Sequence, residues 1–121
     1  SLPGCALRPC LFRTTLQKHD GQLCGAVQIY VVDRERFASL RARVAIVSAA
    51  HALYAKSGFD WRRNTYEYVS DRLAIDLLFG SDEQRTLIEK GATVDDVMRS
   101  MEAQRTRFTD DRRAFLHAEY A

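Results

Sequence analysis

Lys18-His19-Asp20-Gly21-Gln22-Leu23-Cys24-Gly25-Ala26-Val27-Gln28-Ile29-Tyr30-Val31-Val32-Asp33 is the stretch on which the reading of the fold turns. Its first part is polar and punctuated by Gly21 and Gly25, the composition of a loop. From Ala26 to Val32 the side chains alternate. Val27, Ile29 and Val31 fall on one face of a strand, Gln28 and Tyr30 on the other. Upstream, residues 6–16 are mostly extended in character, with Pro9 suited to an edge or a bulge. The spacing predicts an antiparallel pair, 6–16 against 26–32, joined by a long hairpin loop that carries Lys18 and His19 to the mouth of the strand. The apolar face is expected to be buried, and the face of Gln28 and Tyr30 to be open to a polar ligand.

Beyond the strand the period lengthens from two to between three and four. Asp33 is placed to cap a helix, and Phe37, Leu40, Val44, Val47, His51 and Tyr54 mark one face of it as far as Ser57-Gly58. His51 lies on that apolar seam, the position of a hydrogen-bonded core or rim histidine. Leu73 to Phe79 is a short apolar segment closed by Gly80. Ser81-Asp82-Glu83-Gln84 has the form of a capping box and opens a helix that stops at Gly91. Thr93 caps the last helix, with Asp95 and Asp96 in its first turn, where the helix dipole favours acids. Its seam is Val94, Val97, Met101, Phe108 and Phe115, and Met98 and Met101 read as core. Strands precede helices, which gives an α+β fold: a small antiparallel or mixed β-sheet backed by several helices, helix-rich in its C-terminal half. Residues 1–121 read as one domain.

The bulk properties exclude little but bound the chemistry. A chain of 121 residues suits one hydrophobic core. Eighteen basic residues against sixteen acidic ones give a charge of +2, which points to no anionic polymer. No apolar run reaches the length of a membrane span. The cysteines, at positions 5, 10 and 24, are odd in number. Cys5 and Cys10 differ in parity along an extended segment and so face opposite ways. Together with His19 they match no compact zinc spacing, so neither a metal nor a cofactor is expected.

Two blocks of sequence carry a resemblance. The first is Lys18-His19-x-Gly21-x-x-Cys24-Gly25-x-x-Gln28-Ile29, followed by Asp33-Arg34; the second runs from Phe59-Asp60-Trp61 through Tyr66-Glu67-Tyr68 to Ile75-Asp76-Leu77-Leu78 and Gly80. With the opening Leu2-Pro3-Gly4 they resemble, in order and over nearly the whole chain, the C-terminal region of the bacterial exo-β-N-acetylmuramidases. These glycoside hydrolases remove terminal N-acetylmuramic acid from peptidoglycan fragments. The resemblance implies a preceding Rossmann-like domain, an active cleft between the two domains, and the principal acidic residues on the other one. It favours an extracellular or periplasmic location. No catalytic residue is therefore assigned here, and this chain's expected share is binding a peptidoglycan-derived saccharide.

Among the carboxylates Asp20, Asp33, Glu67 and Asp76, Asp33 is accounted for by capping and Asp76 by fixing a turn or pairing with an arginine. Glu67, between Tyr66 and Tyr68 at strand-like alternation, is the acid best placed to contact a sugar. N-acetylmuramic acid carries a lactyl carboxylate that N-acetylglucosamine lacks, and reading it calls for a cation and directional donors. Lys18 and His19 are expected to bind this anionic arm, Gln28 to hold hydroxyl or amide groups, and Tyr30 to stack on a ring. Tyr30 stands where the family commonly has histidine. Two other readings stay open. The exposed face of the chain could serve as a non-catalytic protein-interaction module. The glycine-separated helices and Arg99, Arg105, Arg107, Arg112 and Arg113 could pass for a helix-turn-helix, although Asp95 and Asp96 open the would-be recognition helix and oppose nucleic acid.

Overall fold

The computed structural model describes residues 2–16, 18–117 and 119. It divides the chain into two compact units, residues 1–42 and 43–121.

The first unit is built on a two-stranded antiparallel ribbon, β1 (Cys5–Arg13) and β2 (Leu23–Val31). The register pairs Cys5 with Val31, Pro9 with Val27 and Arg13 with Leu23. All odd-numbered side chains of both strands therefore share one face and all even-numbered ones the other. The parity of Val27, Ile29 and Val31 is as the alternation requires, but their burial is not. They are 59%, 41% and 47% exposed, and Leu11 across the ribbon is 71% exposed. A ribbon of two strands supplies no second layer of its own, so an apolar face stays open unless another element covers it.

At the foot of the ribbon the Gly4 carbonyl accepts from the amides of Val32 and Asp33, at 2.9 and 3.1 Å. The Asp33 carboxylate accepts from the amides of Glu35 and Arg36, at 3.1 and 3.3 Å. Asp33 thus caps a turn over 33–37, and the helix it was expected to open starts later, as α1 (Ser39–Tyr54).

The second unit contains the rest of α1, then α2 (Ala74–Phe79), α3 (Glu83–Glu89), α4 (Val94–Ser100), α5 (Glu102–Arg112) and a 3₁₀ turn, Arg113–Phe115. Val44 of α1, Ile88 of α3 and Val97 of α4 form its buried core. Val47, Trp61, Phe79, Leu87, Met98 and Met101 pack against them, so the middle of the α1 seam and both methionines fall where their spacing puts them, whereas Leu40 and Tyr54 at the seam's ends are exposed and Phe37 precedes the helix. Gly80, at φ 85°, ends α2 in the left-handed conformation, its N–H bonded to the Asp76 carbonyl at 2.8 Å. The seam expected to continue through Phe108 and Phe115 ends at Met101, where α4 gives way to α5. No α5 residue is buried, and Phe108 and Phe115 stand exposed.

The two capping motifs fare differently. At α4 the box closes: the Thr93 hydroxyl accepts from the Asp96 amide and the Asp96 carboxylate from the Thr93 amide, both at 3.2 Å. At α3 the Ser81 hydroxyl accepts from the Glu83 amide at 3.0 Å, but Gln84 does not reach back. Its side chain is buried in the core, with Nε2 donating to the Ser100 hydroxyl at 3.2 Å and Oε1 bonded to no described group. Ser100 separately donates to the Val97 carbonyl, so it keeps a partner if Gln84 is lost. Because an orphaned buried acceptor costs more than an apolar replacement of similar shape, Gln84→Met is expected to leave the melting temperature unchanged or raise it, as measured by circular dichroism.

Asp96 is held below its usual carboxylate range, first by the Thr93 hydroxyl and next by Arg99. Asp60 is lowered by Arg63 and Glu102 by Arg105. Each carboxylate binds its proton less readily folded than unfolded, so each contributes stability that is fully present above the ordinary values of 3.8 and 4.5. That contribution is lost as pH falls through the lower folded values. The helical circular dichroism of the second unit should therefore be flat above about pH 5, and unfolding in acid should take up protons.

Candidate functional site

The hairpin loop is tied at its base by the backbone of Thr14, which exchanges hydrogen bonds with Gly21 and Gln22 at 2.9 and 3.1 Å. Arg13 donates to the Gly21 carbonyl, and the Thr14 hydroxyl to that of His19. His19 takes a left-handed φ of 61°, and its Nδ1 meets the Gln22 side-chain oxygen at 3.2 Å. In the tautomer that donates to this oxygen from Nδ1, Nε2 is left to an incoming group. Lys18 and Asp20 are exposed beside it.

Gln28 and Tyr30 lie together on the even face, the Tyr30 hydroxyl donating to the Gln28 oxygen at 2.8 Å. The register adds a residue that the sequence reading overlooked: Arg8 pairs directly with Gln28 and projects from the same face. Cation, amide and phenol are thus neighbours on one face of the ribbon. Only the register of β1 could have found Arg8, since nothing in its own segment marks it. Gln28 lies five residues along β2 from Leu23, roughly 17 Å at the rise of a strand. The loop pair and the strand group are therefore two stations on the ribbon. Cys5 falls on the odd face, while Cys10 and Cys24 share the even one, and all three are free thiols.

In the second unit, Glu67 is not in a strand. Tyr66 and Val69 exchange both backbone hydrogen bonds, at 3.1 and 2.9 Å, and Glu67 and Tyr68 form the tip of a two-residue turn, with φ values of 48° and 65°. The guanidinium of Arg62 lies over the Tyr66 ring at 5.4 Å. His51 is part of an aromatic cluster, stacked on Trp61 at 6.0 Å with Phe59 edge-on to both. The Trp61 indole donates to Glu89 at 2.8 Å. Glu89 also accepts from Arg85, whose Nε donates to Asp76 at 2.7 Å. Asp76 therefore has the structural, arginine-paired role expected of it. Arg85 is pushed above its ordinary basicity, chiefly by Asp76. This pair walls a cleft of about 530 Å³, completed by Asp71, Arg72, Ser81 and Asp82.

Four of the five arginines of the last helices are ion-paired with carboxylates three or four residues away: Arg99 with Asp96, Arg105 with Glu102, Arg107 with Asp111 and Arg113 with Asp110. A surface whose cations are mostly matched offers little to a phosphate backbone, which argues against the helix-turn-helix reading.

Residues 1–117 match the family described as exo-β-N-acetylmuramidase NamZ, C-terminal. The chain belongs to this family. It is also 32% identical over 115 residues to the peptidoglycan β-N-acetylmuramidase NamZ of Bacillus subtilis (strain 168). The match takes in 95% of the chain but only 26% of that relative, so a NamZ C-terminal chain spans about a quarter of the relative's length. No solved structure matches it. Among the described residues no helix is long and apolar enough to cross a membrane.

Proposed function

We propose that this chain is the C-terminal, saccharide-binding part of an exo-acting glycoside hydrolase that removes terminal N-acetylmuramic acid from peptidoglycan fragments. The observation that carries the reading is the grouping of Arg8, Gln28 and Tyr30 on one face of the ribbon, in a chain of the NamZ C-terminal family. A guanidinium beside an amide and a phenol suits a sugar bearing a carboxylate: the fork holds the anion, and the neutral groups take hydroxyl and acetamido positions. Lys18 and His19, at the loop end of the ribbon, are too distant to share that carboxylate with Arg8 and would meet a further part of the fragment; Glu67, on the second unit, is a separate candidate acceptor for sugar hydroxyls. Bond cleavage is left to acidic residues of a preceding, Rossmann-like domain of the longer protein.

The ribbon's other face favours the second reading, a protein-interaction module: Leu7, Leu11, Val27, Ile29 and Val31 form an open apolar surface on a two-stranded element, which is marginal alone.

The test is a comparison of substrates in the full-length protein. Arg8→Ala should raise KM for a muramic substrate about tenfold, the worth of a charged hydrogen bond, and change that for the glucosamine analogue much less. Equal losses on both sugars would refute the assignment of Arg8 to the lactyl arm.

A further inference from the structure

The turn at Tyr66–Val69 is built from the wrong residues for its shape. Two central residues with positive φ, closed by a reciprocal pair of backbone hydrogen bonds, are the signature of a type I′ turn, for which Asn-Gly is the relaxed sequence. Here the positions are held by a glutamate and a tyrosine, at φ 48° and 65°, where bulky side chains crowd the following carbonyl. Nothing inside the described chain recovers that cost. Tyr68 is 100% exposed, and among the described residues no hydrogen bond or ring contact engages either tip side chain. Strain that is held in place but rewarded by no internal contact points to a contact outside the chain.

We infer that the Glu67–Tyr68 tip is a preformed saccharide contact, with the Tyr68 ring stacking on the apolar face of an N-acetylhexosamine ring and the Glu67 carboxylate accepting from its hydroxyl groups. This rests on the saccharide-binding reading above and extends it to Tyr68. The chemistry of the tip favours a sugar over a protein surface. A fully exposed phenol, next to a carboxylate bonded to no described group, lacks the apolar core that anchors a protein interface. A pyranose, by contrast, offers C–H groups to a ring and O–H groups to a carboxylate at the same time. The two hydrogen bonds between Tyr66 and Val69 fix the direction of both side chains before the ligand arrives, which reduces the ordering cost of binding.

The experiment measures unfolding and saccharide binding together in the full-length protein, with the thio-linked, uncleavable form of the disaccharide N-acetylmuramyl-N-acetylglucosamine and with chitobiose as probes in calorimetry. Glu67→Asn combined with Tyr68→Gly should relax the turn and raise the melting temperature of the domain by about 4–8 °C, while weakening binding at least tenfold. Tyr68→Ala should weaken binding by a similar factor with little thermal change, and Tyr68→Trp should retain it. A stabilised double variant that binds as tightly as the natural protein would overturn the inference. So would a Tyr68→Ala protein altered only in its oligomeric state or interdomain docking. Binding of chitobiose but not of the muramic disaccharide, still lost in Tyr68→Ala, would overturn the muramidase reading and leave the turn's role standing. Binding of neither sugar to the natural protein would overturn both.

Discussion

Gly4→Ala will detach the foot of the ribbon, while the same change at Gly21 will be tolerated. The two glycines have nearly the same backbone, φ +75° and +73°. What differs is the space around them. A Cβ on Gly4 would lie 2.5 Å from the Asp33 carbonyl oxygen, 2.6 Å from the Phe37 nitrogen and 2.9 Å from the Arg36 carbonyl carbon, all of them backbone atoms. None of these can rotate away as a side chain would. A Cβ on Gly21 would meet nothing within 4 Å. The substitution at Gly21 therefore carries only the left-handed penalty, about 1 kcal/mol, while that at Gly4 adds overpacking and should total about 3 kcal/mol. The reporters are the amides of Val32 and Asp33, which donate to the Gly4 carbonyl. Their hydrogen-exchange protection should fall on the order of a hundredfold in Gly4→Ala and several-fold in Gly21→Ala. Equal losses in the two variants would show that the close approach of the 33–37 turn contributes nothing.

The same ribbon shows how far a sequence can be read. Alternation in 26–32 settles which side chains share a face, because the strand period is two, and it led to the correct antiparallel partner. It cannot say what lies over that face, and the apolar one proved open. Arg8 was missed for a related reason: cross-strand neighbours depend on register, which the turn and the partner strand decide together. At Glu67, three residues of Tyr-Glu-Tyr have the period of a strand, and the tip that they form lacks the Asn-Gly that would have announced it. At Gln84 the local motif pointed to a helix cap, but a hydroxyl sixteen residues away, on Ser100, drew the amide into the core. Local chemistry was legible where the deciding partner is local, as in the Thr93–Asp96 box, and failed where a distant element competes for the same side chain.

Arg85→Met should be the most damaging single polar substitution in the second unit. The Arg85 side chain is 19% exposed and that of its partner Asp76 only 11%, so the pair is largely out of water. Removing the arginine leaves the Asp76 carboxylate partly buried without a countercharge. It also takes two hydrogen bonds, at 3.1 and 3.2 Å, from Glu89, the carboxylate that accepts the Trp61 indole. Breaking a fully buried pair costs about 3–5 kcal/mol; residual water at both side chains brings the expectation here to about 2–3 kcal/mol. For a unit of this size that is a fall in melting temperature of about 10 °C or more. Arg85→Lys should restore less than half of it, since an ammonium cannot bridge Asp76 and Glu89 with the spacing of a fork. The decisive measurement is the cycle with Asp76→Asn. Neutralising the carboxylate removes the charge that Arg85 was compensating, so the double variant should be more stable than the sum of the single losses predicts, by about 1–2 kcal/mol. Strict additivity would mean that the ion pair does not hold the wall of the 530 Å³ cleft.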